Sequence, residues 1–156
     1  VRISQRPTFS PAHRAVSAGM GSLRSFPFRF TPAYRLAGFP FGVTRATTRV
    51  EVTGGDLVVR FGPWCLRTPV SNIVATTITG PFAFALTAGP ARLSLTDRGL
   101  TCATNGRRGL CVQFAEPVRG LDPFGLLRHP AVTVTVADYR GLARLLRRKR
   151  VLRPRR

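Results

Sequence analysis

Nine basic side chains close the chain: Arg140, Arg144, Arg147, Arg148, Lys149, Arg150, Arg153, Arg155 and Arg156. Planar guanidinium forks at this density suit phosphate, so the chemistry they offer is polyanion binding, to an anionic lipid surface or to nucleic acid. Near an anionic bilayer each contributes ~1 kcal/mol, less as salt and distance screen it. Against a polynucleotide the same charges release counterions and give a steep salt dependence without reading bases. The competing explanation is a solvated run that keeps the chain in solution. With 24 Arg against one Lys, a GC-rich coding sequence accounts for part of the excess.

Catalytic chemistry has thinner support. His13 lies in an N-terminal segment expected to be disordered, and His129 stands beside Pro130, where it reads as a surface cap at a helix end. Cys65, Cys102 and Cys111 have no metal-site spacing, and an odd number argues against a disulfide framework and for a reducing cytosol. The six acids, Glu51, Asp56, Asp97, Glu116, Asp122 and Asp138, fall mostly at turns and caps and form no local pair. Thr53-Gly54-Gly55-Asp56 lacks the spacing, Lys and Ser/Thr of a phosphate-binding loop. The expectation is no enzyme, no metal and no cofactor.

The elements that must position the basic end are a strand and a helix. Val132, Val134 and Val136 alternate with Thr133 and Thr135, the period of a half-buried strand, and Asp138 then stands as a helix N-cap. Tyr139, Leu142, Leu145 and Leu146 fall on one helical stripe, with Arg140, Arg144, Arg147 and Arg148 on another. Beyond Arg148 Lys149 rotates onto the apolar stripe and Val151 onto the basic one, so packing should stop there and leave residues 147–156 largely solvated.

Upstream, short strands alternate with turn residues: 48–52 and 57–61 around Thr53-Gly54-Gly55-Asp56, then 64–68 and 73–79, with Gly62-Pro63, Pro69 and Gly80-Pro81 as breaks. Residues 92–96 and 100–104 flank Asp97-Arg98-Gly99, and 100–104 pairs with 110–115 across Asn105-Gly106-Arg107-Arg108. Shared burial of Leu100, Cys102, Leu110, Val112 and Phe114 then turns Cys111 the other way. Residues 82–90 read as a loop with a short strand. Asp122 and Pro123 open a short helix that Pro130 ends. The segment 26–41 holds six aromatics punctuated by Pro27, Pro32 and Pro40; it reads as an extended lead-in with one turn, packed on the domain, while Trp64 is core. No apolar run approaches the ~20 residues of a membrane-spanning helix.

About seven short antiparallel strands followed by one amphipathic helix resemble the pleckstrin-homology (PH) superfold, in which the helix plugs an open end of a bent sandwich. The phrases FGPWCLRTPVSNI, ARLSLTDRGLTCATN and DPFGLLRHPAVTVTVAD are similar to uncharacterised PH-like proteins of high-GC, actinobacterial-type bacteria. The resemblance implies a fold and leaves the ligand open. Phosphoinositide-binding members surround the first hairpin turn with Lys and Arg, whereas Thr53–Asp56 is short and acidic. The Trp usual in the family's helix is missing.

The sequence therefore predicts a mainly β, PH-like bent sandwich or partly open barrel over 26–150, with a lead-in at 26–45, strands over 46–137 and a capping helix over 138–149. A disordered basic tail is expected over 1–25 and a basic tail over 151–156. Met20 is the only methionine, so Val1 reads as an alternative start codon with 1–19 weakly ordered. The functional expectation is a cytosolic, non-enzymatic binding or adaptor module, peripheral at the inner face of the membrane through its basic end. Nonspecific nucleic-acid binding is the alternative, and a protein partner on a sheet edge a third reading.

Overall fold

Val50 and Val52 alternate with Arg49 and Glu51 along β2 (Thr48–Val52), so one side of that strand is fully buried and the other meets solvent. The same period puts Leu57, Val59 and Phe61 of β3 (Asp56–Phe61) and Leu66 of β4 (Trp64–Pro69) into one core. Thr53 N–H donates to Asp56 O at 3.0 Å, which closes the expected hairpin and sets Val52 opposite Leu57. β1 (Arg24–Pro27) adds outside β2, so the first sheet is antiparallel in the order β1-β2-β3-β4. The computed structural model describes residues 22–93, 99–120 and 126–152.

The second sheet runs β5-β8-β9-β7-β6, from β5 (Ile73–Thr79), β6 (Arg92–Leu93), β7 (Leu100–Cys102), β8 (Gly109–Arg119) and β9 (Arg128–Val134). The two sheets face each other across a core that includes Val50, Leu57, Phe61, Leu110, Val112, Val132 and Val134. At one corner the chain leaving β1 changes sheet. Phe28 bridges Val136, Arg29 N–H donates to Thr135 O at 3.1 Å, and Ala137 N–H donates to Pro27 O at 2.9 Å. This is a mainly β sandwich, with nine strands and no closed barrel among the described residues, against the expected count of about seven.

The helix α3 (Tyr139–Leu152) caps it. Asp138 Oδ1 accepts from Gly141 N–H at 2.8 Å, and Asp138 O accepts from Leu142 N–H at 3.1 Å, so the predicted N-cap is in place. Leu142, Ala143 and Leu146 are buried in the common core, with Tyr139 and Leu145 packed at its margin. At 1.5–3 kcal/mol for each large apolar side chain, roughly, the two buried leucines seat the helix against the sheets.

Several expectations need correction. Residues 100–104 and 110–115 are not neighbours: β9 lies between them, and β7 runs parallel to it, with Leu100 opposite Val132 and Cys102 opposite Val134. The intervening segment crosses an edge of the sandwich, because Asn105 ties it to Arg29 and Thr135 and leaves no tight turn between two strands. The inferred facing survives, since Leu100, Cys102, Leu110, Val112 and Phe114 share the core and Cys111 lies outside that cluster.

Pro130 ends no helix. Asp122 and Pro123 lie outside the described residues, Leu126 and Leu127 are not helical, and Pro130 sits inside β9, at an irregularity where the β8 register shifts between Gln113 and Val118. A bulge tolerates the missing N–H. Residues 84–87 form a short helix, α2 (Phe84–Thr87), in place of a strand. The lead-in also folds further than one turn. Pro32 at the first helical position opens α1 (Pro32–Gly38), and a 3-10 turn over Phe39–Phe41 ends at Gly42 with φ 72°.

Candidate polyanion-binding surface

α3 divides its basic residues by helical phase. At ~100° per residue, Arg140, Arg144, Arg147 and Arg148 share an arc of about 100° centred opposite Leu142 and Leu146. All four side chains are exposed. Arg140 lies 5.8 Å from the centroid of the Tyr139 ring, and Arg147 Nε donates to Thr76 Oγ1 at 3.3 Å on β5. Lys149 and Arg150 rotate toward the sheets. Lys149 Nζ donates to Thr53 O at 2.9 Å, and Arg150 Nη1 donates to Val74 O. These two candidate residues also tie the helix to the sheets, yet of residues 147–152 only Lys149 is half-buried, so the described part of 147–156 is largely solvated as expected. Packing does stop where the phase breaks, for Val151 and Leu152 are exposed. Arg153, Arg155 and Arg156 lie outside the described residues.

Carboxylates decide which other arginines are available. On the outer face of the first sheet Glu51 meets Arg49 at 2.7 Å and Arg60 at 3.6 Å, and Asp56 meets Arg67 at 2.6 Å. The Arg49 hydrogen bond, opposed by partial burial and helped by the Arg60 charge, holds the Glu51 carboxyl below the usual carboxylate range. That face is close to balanced. Among the described residues no ion pair involves Arg140, Arg144, Arg147 or Arg148.

A second group of arginines, at the head of α3, escaped the sequence reading. Arg29 follows β1, Arg107 and Arg108 precede β8, and the three line a cleft of about 260 Å³ against Val136, Ala137 and Tyr139. Below it Thr104, Asn105 and Thr135 are buried polar residues that satisfy one another. Asn105 Nδ2 donates to Arg29 O at 2.8 Å and Thr135 O at 3.3 Å, and its Oδ1 accepts from Arg107 N–H at 3.0 Å. Thr104 Oγ1 donates to Arg29 O at 2.7 Å, and Thr104 N–H donates to Thr135 Oγ1 at 2.8 Å. The sequence marked Asn105–Arg108 only as a turn. Its one earlier signal was the pairing of a buried-type amide with two consecutive arginines.

The groups weighed for catalysis are dispersed. His129 is fully buried in β9, not a surface cap. Cys102 and Cys111 are buried, Cys65 is exposed, and none of the three is in a disulfide. Desolvation pushes the Cys102 thiol far above its ordinary range. Among the described residues no three His, Cys, Asp or Glu side chains gather into a metal site. Trp64 is half-buried against the core, 6.4 Å from the Phe61 ring. The aromatic lead-in splits: Phe28 and Tyr34 are buried, whereas Leu36 at 79% and Phe39 at 72% stand in solvent, so only its first half packs as an arm.

No described helix is long and apolar enough to cross a membrane. Comparison with protein-family models, with curated proteins and with solved structures finds no match to this chain.

Proposed function

We propose that the chain is a non-enzymatic, PH-like binding module that associates peripherally with an anionic membrane surface through the exposed arginines of α3. The PH-like reading is supported by the strand that leaves one sheet for the other at Phe28 and by the single helix that follows the last strand. The β6–β7 pair, with its parallel contact to β9, departs from that plan and stands as an insertion.

One observation carries the membrane reading. Arg140, Arg144, Arg147 and Arg148 project from a buried-backed helix with no carboxylate partner among the described residues, while Arg49, Arg60 and Arg67 of the first sheet share the two carboxylates Glu51 and Asp56. Along the helix axis the four span about 12 Å, so one face can meet a flat surface at several points. At ~1 kcal/mol each, four contacts strengthen binding by roughly a hundred- to a thousandfold at low salt.

The test is co-sedimentation with vesicles of pure phosphatidylcholine and of phosphatidylcholine containing phosphatidylglycerol, for the full chain and for a variant with Arg140, Arg144, Arg147 and Arg148 changed to Gln. Anionic vesicles should pellet the parent chain, lose it as salt rises, and pellet much less of the variant. Equal pelleting of both proteins would overturn the assignment to α3. Loss of vesicle binding in favour of a salt-sensitive shift of labelled DNA would transfer the same arginines to a nucleic-acid role.

A further inference from the structure

We infer that the cleft at the head of α3 is a binding site for a phosphate group. It uses side chains other than the α3 stripe and does not depend on the membrane reading. Arg29 reaches it from one sheet edge and Arg107 and Arg108 from the segment before β8, positions distant in sequence that only the fold unites.

The backbone beneath these arginines is held from two sides. On the inner side the Asn105 side chain, 2% exposed, bonds both to Arg29 O and to Arg107 N–H. On the outer side Gly80, at φ 113°, lets its backbone press against Arg107 O, where any Cβ would collide, and Phe82 N–H donates to Gly106 O at 2.8 Å. A loop of two consecutive arginines is thereby fixed against a third. Among the described residues, none of the three belongs to an ion pair. The nearest acid in sequence to the cleft wall, Asp138, turns its Oδ1 onto Gly141 N–H. Three arginines on the wall of one cleft give it a positive potential that favours an anion.

The chemistry and size together select the ligand class. Guanidinium forks bind phosphate oxygens in bidentate fashion. A volume of about 260 Å³ is at the small end for ligand pockets, so it suits a phosphate with a small substituent better than a whole nucleotide. Such a group is presented either by a lipid headgroup or by a soluble phosphomonoester.

The experiment titrates the full chain with inorganic phosphate at constant ionic strength, with chloride as the control, reading amide shifts of residues 105–108 and 137–140. In parallel, vesicles carrying phosphatidic acid are compared with vesicles carrying phosphatidylglycerol. Saturable shifts are expected with phosphate and not with chloride, and Arg107→Gln with Arg108→Gln should weaken them about tenfold or more with unchanged thermal stability. The Arg140/Arg144/Arg147/Arg148 variant should keep them, so a failed membrane reading leaves this result readable. If the cleft variant also loses a preference for phosphatidic acid, the phosphate comes from a headgroup; if only the inorganic phosphate response falls, it comes from solution. Linear shifts shared with chloride, or full binding by the cleft variant, would overturn the proposal.

Discussion

Asn105 offers the sharpest test of the fold, because its three hydrogen bonds join three separate segments. Asn105→Ala removes the donors to Arg29 O and Thr135 O and the acceptor for Arg107 N–H. Arg29 O keeps Thr104 Oγ1, and Thr135 O keeps Arg29 N–H. The loss therefore approaches three net hydrogen bonds at ~1 kcal/mol each, offset in part by the surviving acceptor partners, or about 2–3 kcal/mol. At ~2–4 °C per kcal/mol for a chain of this size, the midpoint should fall by about 5–10 °C. Asn105→Asp is more informative. It keeps an oxygen for Arg107 N–H but turns a carboxylate toward two carbonyl oxygens in a site 2% exposed. Burial and those carbonyls favour the protonated acid, so its folded pKa rises above the unfolded value. Relative to the parent, this variant is then most stable at low pH and loses ground as pH rises through the folded pKa. Urea unfolding followed by the single tryptophan, Trp64, measures both. A cost under ~0.5 kcal/mol for Asn105→Ala, or an Asn105→Asp variant that gains stability relative to the parent with rising pH, would refute the account of this network.

Three further outcomes follow from the same packing. Leu142→Ala and Leu146→Ala, at positions 0% and 1% exposed, should each cost about 2–5 kcal/mol in urea unfolding, whereas the exposed Leu152→Ala should stay within about 0.5 kcal/mol. A thiol reagent added to the native chain should modify Cys65 at once and reach Cys102 and Cys111 only on unfolding, read by mass spectrometry of the labelled peptides. Because Glu51 is held below its unfolded pKa by Arg49 and Arg60, its contribution is present above the unfolded value of ~4.3 and is lost as pH falls through the folded one. The stability difference between the parent and Glu51→Gln should therefore shrink toward acid pH in parallel denaturation curves.

The features legible in the sequence were those whose cause is local. Val132 and Val134 alternate because a half-buried strand has period two, Asp138 caps because the first helical N–H groups need an acceptor, and Leu142 and Leu146 recur at the helical period. The features missed depend on what the chain meets far away. Pro130 punctuates a helix by local rule, yet a register shift opposite it in β8 admits it to a strand. β7 looked like the partner of β8 by proximity, and β9 takes its place from some thirty residues downstream, with Leu100 against Val132. Lys149 reads as one more solvated charge until Thr53 O is placed beside it. The basic cleft was invisible for the same reason, since Arg29 and Arg107 meet only after both sheets have formed.

Composition alone treats the arginines as interchangeable, but six carboxylates cannot compensate 25 basic side chains, so placement becomes the informative quantity. Glu51 and Asp56 both stand on the first sheet, where these two carboxylates pair with Arg49, Arg60 and Arg67 at 2.6–3.6 Å and offset two of the three charges. Asp138 is committed to the backbone of α3. The exposed arc of α3 and the cleft at its head receive no such partner among the described residues. A surplus written only by codon usage has no reason to respect that boundary, and would tolerate an acidic substitution on the helix arc as readily as on the sheet. Binding sets the two apart: Arg144→Glu should reduce retention on an anionic vesicle far more than Arg67→Glu, although each removes the same charge from the same +19 chain. Equal losses would return the basic end to composition and leave the fold without an assigned face.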